Sequence, residues 1–443
     1  MIFYMKDREI YVDHIGAMQQ GCGVGSFGRD ARDNMGCPGK AYPIVNDRGE
    51  AAYSREESEI IADEIQKGDL GSYIATANAV VDRAKKNYEL NEAVTGVVIQ
   101  HENGLYAKNY KTDDFCTPMI DIFRENNVPI LSVLHTVELS NDDLKLEAHM
   151  DNVLKSVVSG SNKSVCISKS VIQQMIDKYG VHRGGMIYIP HGVPEPTTLG
   201  SPEEIRARYG FRNEDTIFTS FGHLSRGKGL EYVIDGLPGV VNGPHKSQRP
   251  KYFIAGGTHP TVFKEEGEDY REFLESKVRD NDLKGAVTDG SDIILDMYGN
   301  KLDNLDNADV VFLKRPLTDE EIPEIIEMSD VGGIFNLNPK QYSSGPGSQW
   351  TGLGKPVIAT ESVFFRDLQS QGVGLLVPFR NSPAITRVMN DYLVLGSGGK
   401  DELAFDASDK GSTMAWSVVG LQYRNLMRNL IRHNLMRGKI IGK

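Results

Sequence analysis

Short runs rich in Val, Ile and Phe alternate with stretches of helical periodicity along nearly the whole chain. This alternation predicts parallel sheets, because consecutive parallel strands need a long crossover and a helix is its compact form. In the first half, strands are expected at 41–46, 95–101, 129–137, 164–168 and 185–190, and helices at 55–66, 113–126 and 170–179. Val97-Val98-Ile99 and Ile130-Leu131-Ser132-Val133-Leu134 are almost continuously apolar. Strands covered on both faces read that way.

A seam follows at Pro190-His191-Gly192-Val193-Pro194-Glu195-Pro196, where prolines and glycines stop both helix and strand. Ser201-Pro202-Glu203-Glu204 then supplies an N-cap, a first-turn proline and a capping-box glutamate for a new helix. The second half repeats the alternation. Strands are expected at 216–221, 252–255, 310–313, 332–337, 356–360 and 374–378, with helices at 229–237, 270–280 and 364–370 and one capped by Thr318 and Glu321. Residues 281–307, rich in Asp, Asn and Gly, read as an insertion loop. The expected fold class is α/β with two Rossmann-like domains, at 1–195 and 196–405, and a helical segment at 406–443 that returns to the first domain.

Length and composition agree. A chain of 443 residues, 40% hydrophobic and 25% charged, has room for two or three globular domains and is not a disordered chain. Its net charge of -12 offers no basic excess for nucleic acid. Cys22, Cys37, Cys116 and Cys166 are scattered, which suits a reducing compartment better than a disulfide scaffold or a zinc site. No apolar run is long enough to span a membrane, and the charged first ten residues are unlike a signal peptide, so a cytoplasmic protein is expected.

In doubly wound sheets, ligands gather at the carboxyl ends of strands, where the next helix leaves N–H groups free for anions. Three glycine-rich segments are candidates. Gly23, Gly25 and Gly28 match the spacing G-x-G-x-x-G, with Asp47 further on, but Gln19 and Gln20 stand where a dinucleotide site would have a buried strand. A dinucleotide loop, a loop that lets substrate approach the backbone, and a plain turn all remain open there. Phe221-Gly222-His223-Leu224-Ser225-Arg226-Gly227-Lys228-Gly229 sets two cations among glycines between a strand and a helix. Those are the parts of a diphosphate clamp, without the spacing of a Walker loop; a solvated basic turn is the plainer alternative. Tyr342-Ser343-Ser344-Gly345-Pro346-Gly347-Ser348-Gln349 offers hydroxyls and glycines at a helix start, suited to phosphate or sugar oxygens.

His101, followed by Glu102, and His135 each end an apolar run, at matching positions on two strands. No His-x-x-x-His pair or Cys/His cluster suggests a metal. Trp416, Val419, Tyr423, Met427 and Leu430 form an apolar stripe, while Arg424, Arg428 and Arg432 lie on another face, and no acidic residue occurs from Lys410 to the end. This is either a packed closing helix with a solvated cationic face or a helix that touches an anionic surface or substrate.

Taken together, Cys22-Gly23-Val24, Gln100-His101-Glu102-Asn103-Gly104, Val133-Leu134-His135-Thr136-Val137, Ile189-Pro190-His191-Gly192-Val193, the 221–229 segment and Asn338-Pro339-Lys340-Gln341-Tyr342-Ser343-Ser344-Gly345 resemble, in order and spacing, the family 4 glycosyltransferases, in a bacterial branch. The resemblance runs from about Gly21 to Tyr423. It implies the GT-B fold, with two facing Rossmann-like domains, and a retaining transfer that needs no metal or cofactor, the nucleotide-diphosphate sugar being a co-substrate. It places the donor, a UDP-, GDP- or ADP-sugar, mainly on the second domain, and the acceptor on the first. The acceptor class stays open between a glycan, a lipid-linked glycan, a small molecule and a modified nucleobase, and so does the oligomeric state.

By position, the resemblance makes Lys228 the grip on the diphosphate, with Gly227, Ser344 and Gly345 beside it and Gly257 in the donor-binding set. Gly23 and Gly25 would lie in a loop near both substrates, His135 beside the reacting sugar, and His101 and Glu102 on the acceptor side. The chain departs from the family at three of these positions. His223 replaces an arginine that shares the diphosphate with the lysine, a role Arg226 would assume. Gln341 and Gln349 replace the two glutamates that address the transferred sugar and the ribose. A same-face transfer, in which the leaving diphosphate accepts the acceptor's proton, asks mainly for charge stabilisation and orientation. A double displacement needs a carboxylate nucleophile, which two amides do not supply. The remaining readings are a GT-B phosphorylase or epimerase, and a non-catalytic nucleotide- or sugar-binding protein of this fold.

Overall fold

The computed structural model of the protein describes residues 9–17, 23–45, 60–90, 93–102, 104–137, 144–195, 200–290 and 293–437. The chain divides into two units, one formed by 1–192 with 414–443 and the other by 193–413.

The first unit is built on a sheet of seven strands among the described residues: β1 Glu9–Gly16, β2 Ala41–Val45, β3 Ile65–Gln66, β4 Ala93–His101, β5 Ile130–Leu134, β6 Lys163–Cys166 and β7 Met186–Tyr188. They lie in the order β3-β2-β1-β4-β5-β6-β7, and the pairings are parallel. Consecutive winding runs one way from β1 to β3 and the other way from β4 onward. The reversal leaves a crevice at the carboxyl ends of β1 and β4. All nine β4 side chains are buried, which is why its sequence shows no polar alternation.

Two expectations fail in this unit. Strand β1 was not anticipated, because Asp13 and His14 interrupt its apolar pattern, yet both are fully buried in it. Asp13 accepts from the Lys40 N–H at 2.9 Å and forms an ion pair with Arg83, so the sheet carries a charge only because it is paired. Of the expected helix at 55–66, residues 55–59 lie outside the described residues and Ile65–Gln66 is an edge strand on β2. Asn46 also lies outside them, as do Gln19, Gln20, Cys22, Asp47, Asn103 and Pro196.

The helix Trp416–Met436 belongs to this unit and packs on β4 and on the helix Gly23–Met35. The approach is close: a Cβ on Gly420 would lie 2.2 Å from the Asn34 carbonyl oxygen. Trp416, Val419, Tyr423, Met427 and Leu430 are all buried there, so the apolar stripe is the packing face.

In the second unit, β8 Thr216–Phe221, β9 Pro250–Ala255, β10 Gly285–Thr288, β11 Ile294–Asp296, β12 Lys301–Leu302, β13 Val310–Leu313, β14 Val331–Ile334, β15 Val357–Thr360 and β16 Leu375–Val377 form one sheet. Its order is β12-β11-β10-β13-β9-β8-β14-β15-β16. Winding reverses between β8 and β14, so the crevice of this sheet opens at their carboxyl ends. The 281–307 segment is not a loop. It supplies β10, parallel to β13, and an antiparallel pair, β11 and β12, that extends the edge. Its many Asp and Asn residues form the turns between very short strands, as where Asp296 accepts from the Tyr298 and Asn300 N–H groups.

Helix starts follow the sequence closely. Ser201 and Glu204 form the reciprocal capping box before the helix Pro202–Arg208. Thr318 and Glu321 exchange the same pair of bonds. Residues 406–412 continue the helix Ser397–Ser412 of the second unit, so the chain joins the first unit only from Met414.

Candidate functional site

The second unit carries a pocket at the β8–β14 reversal. From β8 and the segment that follows it come Ser220, Phe221, Gly222, His223 and Lys228; from beyond β14 come Asn336, Gln341, Ser343, Ser344 and Gly345. Two contacts hold these segments together. The Leu337 N–H donates to the Gly227 carbonyl at 2.9 Å. Gly229 sits at φ 64° against the Phe335 carbonyl oxygen, where a Cβ would come within 2.4 Å. Glycine is therefore required by both the backbone angle and the space.

A short 3-10 turn, Arg226–Lys228, intervenes before the helix Leu230–Gly236. That turn sends its two cations in different directions. Lys228 lines the pocket and is half-buried, and its ammonium has no hydrogen bond or ion pair among the described residues. Burial pulls its ammonium below the ordinary lysine range. Arg226 is exposed, 3.7 Å from Glu266 and stacked over Phe273 and Tyr270 at 5.4 and 5.8 Å. It is not part of the pocket lining. His223 is in the lining and meets His259 edge to face at 5.3 Å.

The helix Gly345–Gly352 starts at the pocket. Ser344 is its N-cap, accepting from the Gly347 N–H at 3.1 Å. A Cβ on Gly345 would meet nothing within 4 Å, so open space lies beside the Gly345 N–H; Pro346 carries no N–H, and that of Gly347 is bound to Ser344. Gln341 is held at both ends: its Oε1 accepts from Asn336 at 3.0 Å and its Nε2 donates to the Ser343 carbonyl at 3.0 Å. That second contact needs an amide, because a carboxylate there would face a carbonyl oxygen. Gln341→Glu should accordingly lower stability by about 1 kcal/mol, read by urea denaturation at neutral pH. An unchanged midpoint and slope would remove this explanation of the amide. Lys228 is the only charged side chain among the described lining residues. Gly257 and Gln349 are not in the lining. Gly257 packs against Pro316, and Gln349 is half-buried within its helix.

In the first unit, His101 and His135 do stand together near the β1–β4 reversal. His135, one residue past β5, is bound through Nε2 to Gln100 Oε1 at 2.8 Å, and its N–H donates to the His101 carbonyl at 3.0 Å. Burial, with His191 and His101 nearby, lowers its pKa to about 3, so the imidazole is neutral at physiological pH. Phe27 meets His135, His191 and Trp416 edge to face, at 4.8, 4.9 and 5.2 Å. His101 stacks on Tyr106, and Glu102 accepts from Thr136 at 2.8 Å. Gly23 and Gly25 are in the first turn of the helix Gly23–Met35, which follows β1, rather than in a loop. Sequence reasoning gave no role to Asn336, Gln100 or Phe27. Asn336 sits in an ordinary Asn-Leu-Asn-Pro stretch, Gln100 enters only as the first residue of the motif with His101, and nothing local marks Phe27.

No protein-family model and no curated protein matches the chain. Solved structures do match its fold. HepE of Anabaena, crystallised with UDP, is similar with a TM-score of 0.69 at 14% identity, over 95% of this chain and 100% of that one. HepE has also been crystallised with UDP-glucose, a match of TM-score 0.63 at 16% identity, over 95% of this chain and 99% of that one. A glycosyltransferase of Rickettsia africae gives 0.67 at 14% identity, over 96% and 99% of the two chains. Sucrose-phosphate synthase of Thermosynechococcus elongatus gives 0.63 at 14% identity, over 96% and 100%. The chain therefore has the two-Rossmann GT-B fold of these glycosyltransferases.

Proposed function

We propose that the protein transfers a sugar from a nucleotide-diphosphate sugar to an acceptor hydroxyl, with the donor diphosphate bound by the second unit. The observation that carries this reading is Lys228: a half-buried ammonium without an anionic partner, in the crevice of a doubly wound sheet, beside the start of the helix Gly345–Gly352. An ammonium and the N–H of Gly345 at the helix start are complementary to a diphosphate. The UDP and UDP-glucose of the HepE structures give the ligand class a precedent on this fold.

The transfer we propose retains configuration and takes place on one face of the sugar. Lys228 and the Gly345 N–H stabilise charge on the departing diphosphate, whose oxygen accepts the proton of the incoming hydroxyl. The donor pocket has no carboxylate among its described lining residues, either to act as a protein nucleophile or to hold a cation. Gly227 and Gly257, outside the lining, support the pocket by accepting from the Leu337 and Leu224 N–H groups, and Gln349 is part of its helix. In the first unit, neutral His135 hydrogen-bonds the transferred sugar, while His101 and Glu102 serve the acceptor side.

Affinity and turnover separate these roles. Lys228→Ala should weaken binding of UDP, GDP or ADP, whichever the protein takes, by about 2–4 kcal/mol, roughly 30- to 1000-fold. His135→Ala should leave that affinity intact and slow transfer roughly 10- to 100-fold. Calorimetry and product analysis, with and without acceptor, read both. Wild-type affinity in Lys228→Ala would move the donor site elsewhere. Failure of the wild type to bind any of the three diphosphates would end the proposal.

A further inference from the structure

The first unit contains a second cationic site, at the amino ends of its strands. The helix Trp416–Met436 turns Arg424, Arg428 and Arg432 toward a cavity of about 240 Å³, closed by Glu9 of β1, Val94 of β4 and Cys37. Four-residue spacing puts the three guanidiniums on one helical face, about 6 Å apart along the axis. Arg424 and Arg428 are half-buried. None of the three guanidinium groups has a hydrogen bond or ion pair among the described residues, whereas the buried Asp13 of the same sheet is paired with Arg83. Glu9 is the only carboxylate in the described lining.

Three cations against one carboxylate leave an excess of two positive charges in a partly desolvated hollow. We propose that this cavity binds a phosphate group, whose double charge and tetrahedral oxygens match the excess and the forked donors of arginine. The site is separate from the histidine cluster: Val94 and His101 lie near opposite ends of β4, roughly 23 Å apart at strand rise. Nor does it belong to the Lys228 pocket, which is in the other unit. A soluble phosphate monoester and the monoester headgroup of phosphatidic acid present the same chemistry, and the experiment separates them.

Cys37 reports occupancy, being half-buried in the same lining, while Cys116 and Cys166 are buried. Full-length protein is alkylated at mildly alkaline pH and the Cys37 peptide is quantified by mass spectrometry. Four additions are compared: inorganic phosphate, chloride at equal ionic strength, phosphatidic acid vesicles and phosphatidylcholine vesicles. Phosphate or the anionic vesicles should slow Cys37 alkylation about fivefold, with no effect of chloride or neutral vesicles. Protection by phosphate identifies a soluble ligand; protection by anionic vesicles alone identifies a headgroup. Arg424→Gln with Arg428→Gln should abolish protection, and the exposed Arg432→Gln, which leaves the packing face intact, should weaken it. Lys228→Ala should retain it in full. The proposal is overturned if neither phosphate nor anionic vesicles protect the wild-type thiol, or if protection survives the paired arginine substitution.

Discussion

Acidification from about pH 7.5 to about pH 5.5 should destabilise the first unit by about 4 kcal/mol, well before its carboxylates titrate. His14, His101 and His135 are 1%, 2% and 6% exposed, and burial is the leading cause of pKa values lowered to about 3, about 4 and about 3. The unfolded chain binds protons at these residues from about pH 6.5 downward, whereas the folded chain does not. Native pKa values below the unfolded value mean stability is full above pH 6.5 and falls as pH drops toward the folded values. One unit below 6.5, each residue contributes about 1.4 kcal/mol of loss, hence about 4 for three. His191 is also lowered, to about 4, but is only half-buried and is left out of that sum. Urea denaturation followed by tryptophan fluorescence reads the effect. Of the two tryptophans, Trp350 belongs to the second unit, so Trp350→Phe leaves Trp416 as the reporter of the first. A loss smaller than about 1 kcal/mol over this interval would mean that the three imidazoles are not kept neutral by burial.

Trp416→Ala should cost about 3–5 kcal/mol in the first unit and lower its thermal midpoint by about 10 °C. The indole is 3% exposed and starts the terminal helix. It meets Phe27 edge to face at 5.2 Å and lies against Gly192, where a Cβ would stand 2.3 Å from the ring. Truncation removes this packing and opens a cavity beside Phe27, which also touches His135. Trp416→Phe should recover more than half of the loss, because a second ring still fills most of the volume. Equal melting of the alanine variant and the wild type would show that the terminal helix is not anchored at this residue.

Local patterns made much of the fold legible before any coordinates. The apolar runs at 216–221 and 310–313 are strands at those bounds, because fully buried parallel strands leave an uninterrupted signature. Ser201, Glu204, Thr318 and Glu321 announced helix starts, because capping acts over three residues. The misses have the opposite origin. Strand β1 was hidden by Asp13 and His14, whose burial depends on partners far along the chain, such as Arg83. The 281–307 hairpin was hidden because two- and three-residue edge strands are held by their neighbours rather than by their own propensity.

For the site, Lys228, His223, Ser344 and Gly345 were picked out by glycine-rich junctions between strands and helices and Gln341 by the family resemblance, and the structure gathers all five in one pocket. Arg226 was picked out by the same junction but turns to Tyr270 and Phe273, since one 3-10 turn cannot aim both cations the same way. The sequence by itself determined two wound α/β units, their capped helices, and which junctions carry the polar groups. These follow from periodicity and from bonds closed within a few residues. Only the tertiary structure decided which of those groups share a space, and that three arginines of the last helix line a cavity of their own. Each of those outcomes depends on side chains brought together from distant segments, and no local rule encodes such a meeting.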